Sequence, residues 1–265
     1  MPTAQKAITA TGTGLSFVIF MIWGFLLGVV LFPSIRLFKG KRARKAFHRQ
    51  VRISWRSFIE IMKITQAFKS IEVTGLENLP ANRPCLLIAN HLTLVDIVVL
   101  GAHVPDFNCV VKMGLWNHPF FGSVVRACDF IPNVASEAFI EQCQNGFSQN
   151  RPLIIFPQGS RYMPDVPIKF QRGAAQVAVR TGVDVHPVIY TCSPVTLAKG
   201  MPWYKVPPSP KLRIEIQPAL PPPGDFDTSA PIPKQVRQLN AWWEQYFKAE
   251  IEKRRSHQDI ECACA

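Results

Sequence analysis

The chain opens on a long apolar stretch. No charged residue occurs from Ala7 to Ile35, and within it Leu15–Phe32 reads LSFVIFMIWGFLLGVVLF, broken only by Ser16, Gly24 and Gly28. Coiled as a helix at about 1.5 Å per residue, that core would be roughly 27 Å long, close to the roughly 30 Å of bilayer hydrocarbon. Pro33 is expected to end it. Next, Phe47, Val51, Trp55, Phe58, Ile59 and Met62 recur at helical spacing, with cations on the opposite side. Such a basic amphipathic helix can pack as core or lie among lipid headgroups, and its position behind an apolar segment favours the headgroups.

Beyond Phe68, short apolar runs alternate with helical stretches. Strands are expected at 71–73, 85–89, 108–112, 152–156, 185–190 and 211–217, and helices at 94–102, 136–147 and 173–180. That alternation predicts an α/β fold: a largely parallel sheet flanked by helices, preceded by an N-terminal membrane-associated helical segment. Residues 1–68 would form the membrane-associated part. Residues 69–265 would form the α/β domain, with a Pro-rich stretch and a final helix over 234–255.

Composition narrows the partners. Hydrophobic residues make up 48% and the formal net charge is +12, which favours an anionic partner. The cations Arg36, Lys39, Lys41, Arg42, Arg44 and Lys45 cluster directly behind the apolar segment. They point to a membrane surface rather than nucleic acid, and by the positive-inside rule they keep that flank, and the domain after it, in the cytoplasm. A cleaved signal would have a shorter apolar region and a more basic leading flank than Lys6 alone provides. The seven cysteines contain no C-x-x-C pair, so the reading is a reducing compartment without structural zinc. The terminal Cys262-Ala263-Cys264-Ala265 has the form of a prenylation signal and is read as accidental.

The chemistry concentrates after the expected strands, where open α/β sheets place their ligands. Asn90-His91 follows the 85–89 strand and Pro157-Gln158-Gly159-Ser160-Arg161 follows the 152–156 strand. An imidazole takes a proton near neutral pH, and a carboxylate on its other nitrogen fixes the tautomer. His91 with Asp96 could therefore be a base and its orienting partner. Thr93-Leu94-Val95-Asp96 equally matches a capping box that merely starts a helix. No G-x-S-x-G turn and no H-E-x-x-H motif occurs. A base with neither a protein nucleophile nor a metal points to attack by a substrate hydroxyl.

These blocks resemble one family. NHLTLVD (90–96) is similar to the N-H-x-x-x-x-D motif of the 1-acylglycerol-3-phosphate acyltransferases, and FPQGSR (156–161) to their F-P-E-G-T-R. VVKMGLWNHPFFGSVVRACDFIPN (110–133) resembles the lysine-bearing strand and the P-F-F-G and G-x-I-F-I-D-R blocks. VDVHPVIY (183–190) resembles the late V-P-I-V-P-V strand. The resemblance runs over about residues 70–195 in the family's order. It implies acyl transfer from a thioester, acyl-CoA or acyl-carrier protein as co-substrate without a further cofactor, to the free hydroxyl of a lysophospholipid at the membrane. Carried over, His91 is the base and Asp96 its partner. Lys112, Gln158, Gly159, Ser160 and Arg161 would bind substrate, with Arg161 on the acceptor phosphate and Lys112 as a further phosphate ligand. Two positions depart: Gln158 stands for the family's glutamate, and Ile131-Pro132-Asn133 lacks the arginine of I-D-R. These departures invite a different lysolipid acceptor, or a non-catalytic lipid-binding relative.

Overall fold

The computed structural model describes residues 2–39, 43–119, 121–134, 137–163 and 166–263. Lys41, Arg42, Phe120 of the P-F-F-G block and Ser136 lie outside them, as do the side chains of Arg36, Lys39 and the terminal cysteines. In chain order the elements are α1 (Pro2–Leu26), a π-turn (Leu27–Leu31), α2 (Phe32–Lys39), α3 (Ala43–Ile64), β1 (Ser70–Thr74), β2 (Cys85–Ala89), α4 (Asp96–His103) and β3 (Asn108–Val111). There follow α5 (Met113–Trp116), α6 (Gly122–Ala127), β4 (Ile131–Pro132), α7 (Glu137–Ser148), β5 (Leu153–Ile155), α8 (Gly173–Thr181), β6 (Asp184–Ser193), β7 (Lys211–Ile216) and α9 (Ile232–Ala263).

The seven strands lie in the order β1-β7-β6-β2-β5-β3-β4. β6, β2, β5, β3 and β4 run parallel; β7 is antiparallel to β6 and carries β1 parallel to itself. β2 is buried at every position, which is why CLLIA reads as a continuous apolar run rather than an alternation. Its side chains still divide by parity. Cys85, Leu87 and Ala89 join one core with α3 and α4, while Leu86 and Ile88 join another with α7, α8 and α9. β7, KLRIEI, alternates half-buried and buried, as expected for a sheet with only one face covered.

The N-terminal region departs from expectation in two respects. Pro33 does not end the helix. Phe32 N–H reaches back five residues to Leu27 O, and this wider turn makes room for the proline ring, so α2 continues beyond it. The apolar face of α3 does not lie among headgroups either. Phe47, Val51, Phe58, Ile59 and Met62 are buried in the same core as the sheet, so protein already covers the face that lipid would have taken. α1 packs along α3: Phe20 stacks on Phe58 at 4.6 Å, and Ser16 Oγ lies 2.9 Å from Thr65 Oγ1. Gly12 permits the approach, since a Cβ there would fall 1.9 Å from Thr65 O. The far face of α1 and of the π-turn after it (Leu15, Val18, Ile22, Phe25 and Val29) is exposed, on a helical run, Thr3–Ile35, whose most apolar 18-residue window has a mean hydropathy of 2.6.

Candidate active site

The parallel strands deliver their carboxyl ends to one edge of the sheet. Asn90 and His91 leave β2 there, Phe156–Arg161 leave the neighbouring β5, and Lys112 leaves β3. Asn90 replaces the ladder at the end of β2. It donates through Nδ2 to Tyr190 O at 2.9 Å and accepts Tyr190 N–H at 2.7 Å, holding β2 and β6 together as the chain turns away.

Asp96, fully buried, organises the turn that follows. Its Oδ2 accepts from His91 Nδ1 at 2.9 Å, Leu92 N–H at 2.6 Å and Thr93 N–H at 2.8 Å, and its Oδ1 accepts the Thr93 hydroxyl at 2.5 Å. One carboxylate therefore holds both the turn before α4 and the imidazole, while Val95, at the cap of the helix, makes no side-chain bond. With four donors in a site away from water, the Asp96 oxygens are satisfied as a buried charge requires. Tyr190, fully buried and with its phenol pushed well above the ordinary range by burial, donates to Asp96 O at 3.0 Å.

Donation from Nδ1 to Asp96 leaves Nε2 of His91 as the nitrogen with a free lone pair, on a ring that is 21% exposed. One side of the ring rests on Phe156, with centroids 4.4 Å apart. The two motif loops are stitched through the backbone of His91. Its N–H donates to Gln158 Oε1 at 2.5 Å, and its carbonyl accepts from Tyr162 N–H at 3.1 Å. A neutral amide thus does the accepting where the resemblance expects a carboxylate, and Gln158 Nε2 is buried without a partner. Gly159 adopts φ +68, a left-handed conformation that favours glycine, as the chain turns towards Ser160.

Arg161 stands at the same edge but is partly engaged. Its Nη1 donates to Leu197 O at 2.7 Å, and Leu197 O also receives Leu94 N–H at 3.1 Å. Residues 194–210 between β6 and β7 thus close one side of the site, a segment to which the sequence reading gave no role. Its signal was a long aperiodic stretch, and in compact domains long loops of this kind tend to be functional. Lys112 is exposed two strands away from β2, on the same edge, with no bond to His91 or Gln158. Arg126, near the block that lacks the arginine of I-D-R, donates through Nη1 to Trp116 O at 2.6 Å. The cysteines offer no competing nucleophile among the described residues. Burial pushes the thiols of Cys85, Cys109, Cys143 and Cys192 up to about 12, and that of Cys128 higher still.

An open, largely parallel sheet thus carries the His91–Asp96 pair and the Gly159-Ser160-Arg161 turn at its carboxyl edge. The family profile described as Acyltransferase matches residues 70–191 of the chain. Among relatives, the 1-acyl-sn-glycerol-3-phosphate acyltransferase of Pseudomonas aeruginosa is 26% identical over 202 residues, covering 74% of each chain. The chloroplastic 1-acyl-sn-glycerol-3-phosphate acyltransferase BAT2 of Brassica napus is 26% identical over 162 residues, and the match spans 59% of this chain and 45% of that protein. The match to the Chlamydomonas reinhardtii relative likewise spans 53% of its length. In fold, the crystal structure of the 1-acyl-sn-glycerophosphate (LPA) acyltransferase PlsC from Thermotoga maritima aligns with a TM-score of 0.68 at 21% identity, over 91% of this chain and 96% of that one.

Proposed function

We propose that this chain is a membrane-bound O-acyltransferase. It would transfer an acyl group from a thioester of coenzyme A or acyl-carrier protein to the free hydroxyl of a lysophospholipid, converting 1-acylglycerol-3-phosphate to phosphatidic acid. The observation that carries the reading is His91, held through Nδ1 by buried Asp96 with Nε2 left to act. Nε2 takes the hydroxyl proton as the oxygen attacks the thioester carbonyl. The C–O bond forms, the C–S bond breaks, and the proton returns from His91 to the leaving thiolate. Asp96 keeps the tautomer and offsets the positive charge that develops on the ring. Arg161 and Lys112 are the proposed ligands of the acceptor phosphate; Gly159 and Ser160 shape the turn that presents Arg161.

The exposed apolar face of α1 is the proposed contact with lipid, and the cations after it favour a catalytic domain that faces the cytoplasm. The neutral Gln158 and Asn133 favour, as a second reading, the same chemistry on another lysolipid. Purified protein in detergent, offered acyl-CoA and acyl-carrier protein donors with a panel of lysolipids, tests both. Transfer to lysophosphatidic acid that disappears in His91→Ala supports the first. Transfer to a different acceptor alone selects the second, and undiminished transfer by His91→Ala removes the mechanism.

A further inference from the structure

Exposed apolar side chains rim the catalytic edge from several directions. Leu94 follows β2, Met113 and Leu115 follow β3, Met163 follows β5, and Trp203 and Tyr204 lie in the loop after β6. The last two are the most exposed, at 52% and 56%, and form an edge-to-face pair with centroids 5.7 Å apart. A solvated loop has no reason to present a tryptophan and a tyrosine side by side, because contiguous apolar surface of this kind marks an interaction site.

Two observations identify what covers it. The first is continuity with α1: a Cβ on Gly14 would meet Trp203 Cζ3 at 2.8 Å, so the indole lies against the helix. The neighbouring Leu15 and Val18 belong to the exposed apolar face of α1, and the two surfaces join. The second is charge. Lys199 and Lys205 flank the aromatic pair and both are exposed. An aromatic pair between lysines suits the boundary of an anionic bilayer: the rings sit at headgroup level and the ammonium groups meet lipid phosphates.

We propose that residues 199–205 form a membrane contact separate from α1 that sets the catalytic edge, with His91, against an anionic bilayer. The inference rests on reading α1 as a lipid-facing helix and deepens the proposed function, since it fixes how the site meets a lipid acceptor. The loop is well placed for this. Through Leu197 it is tied to Leu94 and Arg161, so the same segment touches both lipid and site.

The test needs no turnover. The full chain is reconstituted in phosphatidylcholine–phosphatidylglycerol vesicles, and Trp203 emission is obtained as the difference between the unaltered protein and Trp203→Phe. Quenching by lipids brominated near the headgroup, together with protection from aqueous iodide, is the expected result. Emission open to iodide and untouched by bromine overturns the proposal. So does protection from iodide without bromine quenching, which would show that the chain's own α1, not lipid, shields the indole. Should Trp203→Phe fold poorly, Tyr204→Trp supplies the same reading one residue on. Independently, Lys199→Gln with Lys205→Gln should raise the apparent KM for a vesicle-embedded lysolipid about tenfold on anionic vesicles, and leave it unchanged in neutral detergent micelles. An unchanged KM in both overturns the proposal. A chain inactive on every acceptor would instead count against the proposed reaction, with the quenching result still deciding the contact.

Discussion

His91 lies at the carboxyl ends of the parallel strands and His48, on α3, at their amino ends, each with an aspartate nearby. Around His91 the carboxylate sits on Nδ1 at 2.9 Å, the ring is partly exposed, and Nε2 has no bond among the described residues. Around His48 every direction is closed. The residue is 2% exposed, Nε2 lies 2.8 Å from Cys128 O and 3.0 Å from Arg151 Nη2, and Nδ1 is buried without a partner. Asp106, 3.8 Å from His48, is committed to Arg44 at 2.6 Å. Burial, helped by the Arg151 charge, holds His48 down at about 4. Neutral imidazole is therefore its resting form, and its work is to dock α3 onto the sheet through Cys128 and Arg151. The contrast shows that an aspartate beside a histidine does not make a base. The carboxylate must be bonded to one ring nitrogen while the other stays open.

The largest effect is expected at His91. His91→Ala should reduce acyl transfer on the order of 10²–10⁴-fold with little change in melting temperature, whereas His48→Ala should lower the melting temperature and keep transfer within a few-fold. Transfer assays and thermal denaturation of both proteins check this; the opposite assignment would exchange the two roles. Asp96→Asn should also act on turnover, through the wrong tautomer, although the same substitution disturbs the α4 start.

The amino-end cluster comes next in size. Arg151 is buried, donates to Phe107 O and Cys128 O, and faces Asp106. Arg151→Met should destabilise the fold by about 3 kcal/mol, because the carbonyls of Asp106, Phe107 and Cys128 lose the guanidinium that donates to them. Urea unfolding measures it, and a loss well under 1 kcal/mol would make the cluster incidental.

A pH dependence of similar origin follows from His48. Its pKa falls from 6.5 to about 4 on folding, so between those values the unfolded chain binds a proton that the folded chain refuses. The contribution is fully present above pH 6.5 and is lost as pH falls towards 4. The total is about 3 kcal/mol, from about 1.36 kcal/mol per pKa unit. In His48→Gln this component should vanish from the difference between unfolding at neutral and at acid pH.

The smallest effect belongs to Gln158. Gln158→Leu strands the His91 N–H and should cost about 1–3 kcal/mol in stability, with roughly tenfold in turnover as the ring loses its placement. Gln158→Glu retains the acceptor and should preserve most activity. Equal losses in the two variants would show that the bond to His91 N–H is not what position 158 supplies.

Much of this was legible in the chain itself. β2 coincides with the expected 85–89, β7 differs by one residue from 211–217, and the α/β alternation follows from apolar runs too short for helices and bounded by turn residues. The site motifs were legible because they are local: His91 and Asp96 are five residues apart, and the turn that joins them is written within that interval. Long-range packing was not. Whether the apolar face of α3 meets lipid or protein depends on the sheet beneath it, and the passage of the helix through Pro33 on a five-residue bond.

Residue pattern alone therefore determined the elements, their alternation and the His91–Asp96 unit, since each rests on period, composition or a turn of a few residues. Tertiary structure alone decided that Gln158 holds the His91 backbone, that Leu197 engages Arg161, that Trp203 lies on Gly14, and that His48 is sealed beside Arg151. Each of those contacts joins residues far apart in the chain, and only the order of strands in the sheet brings them together.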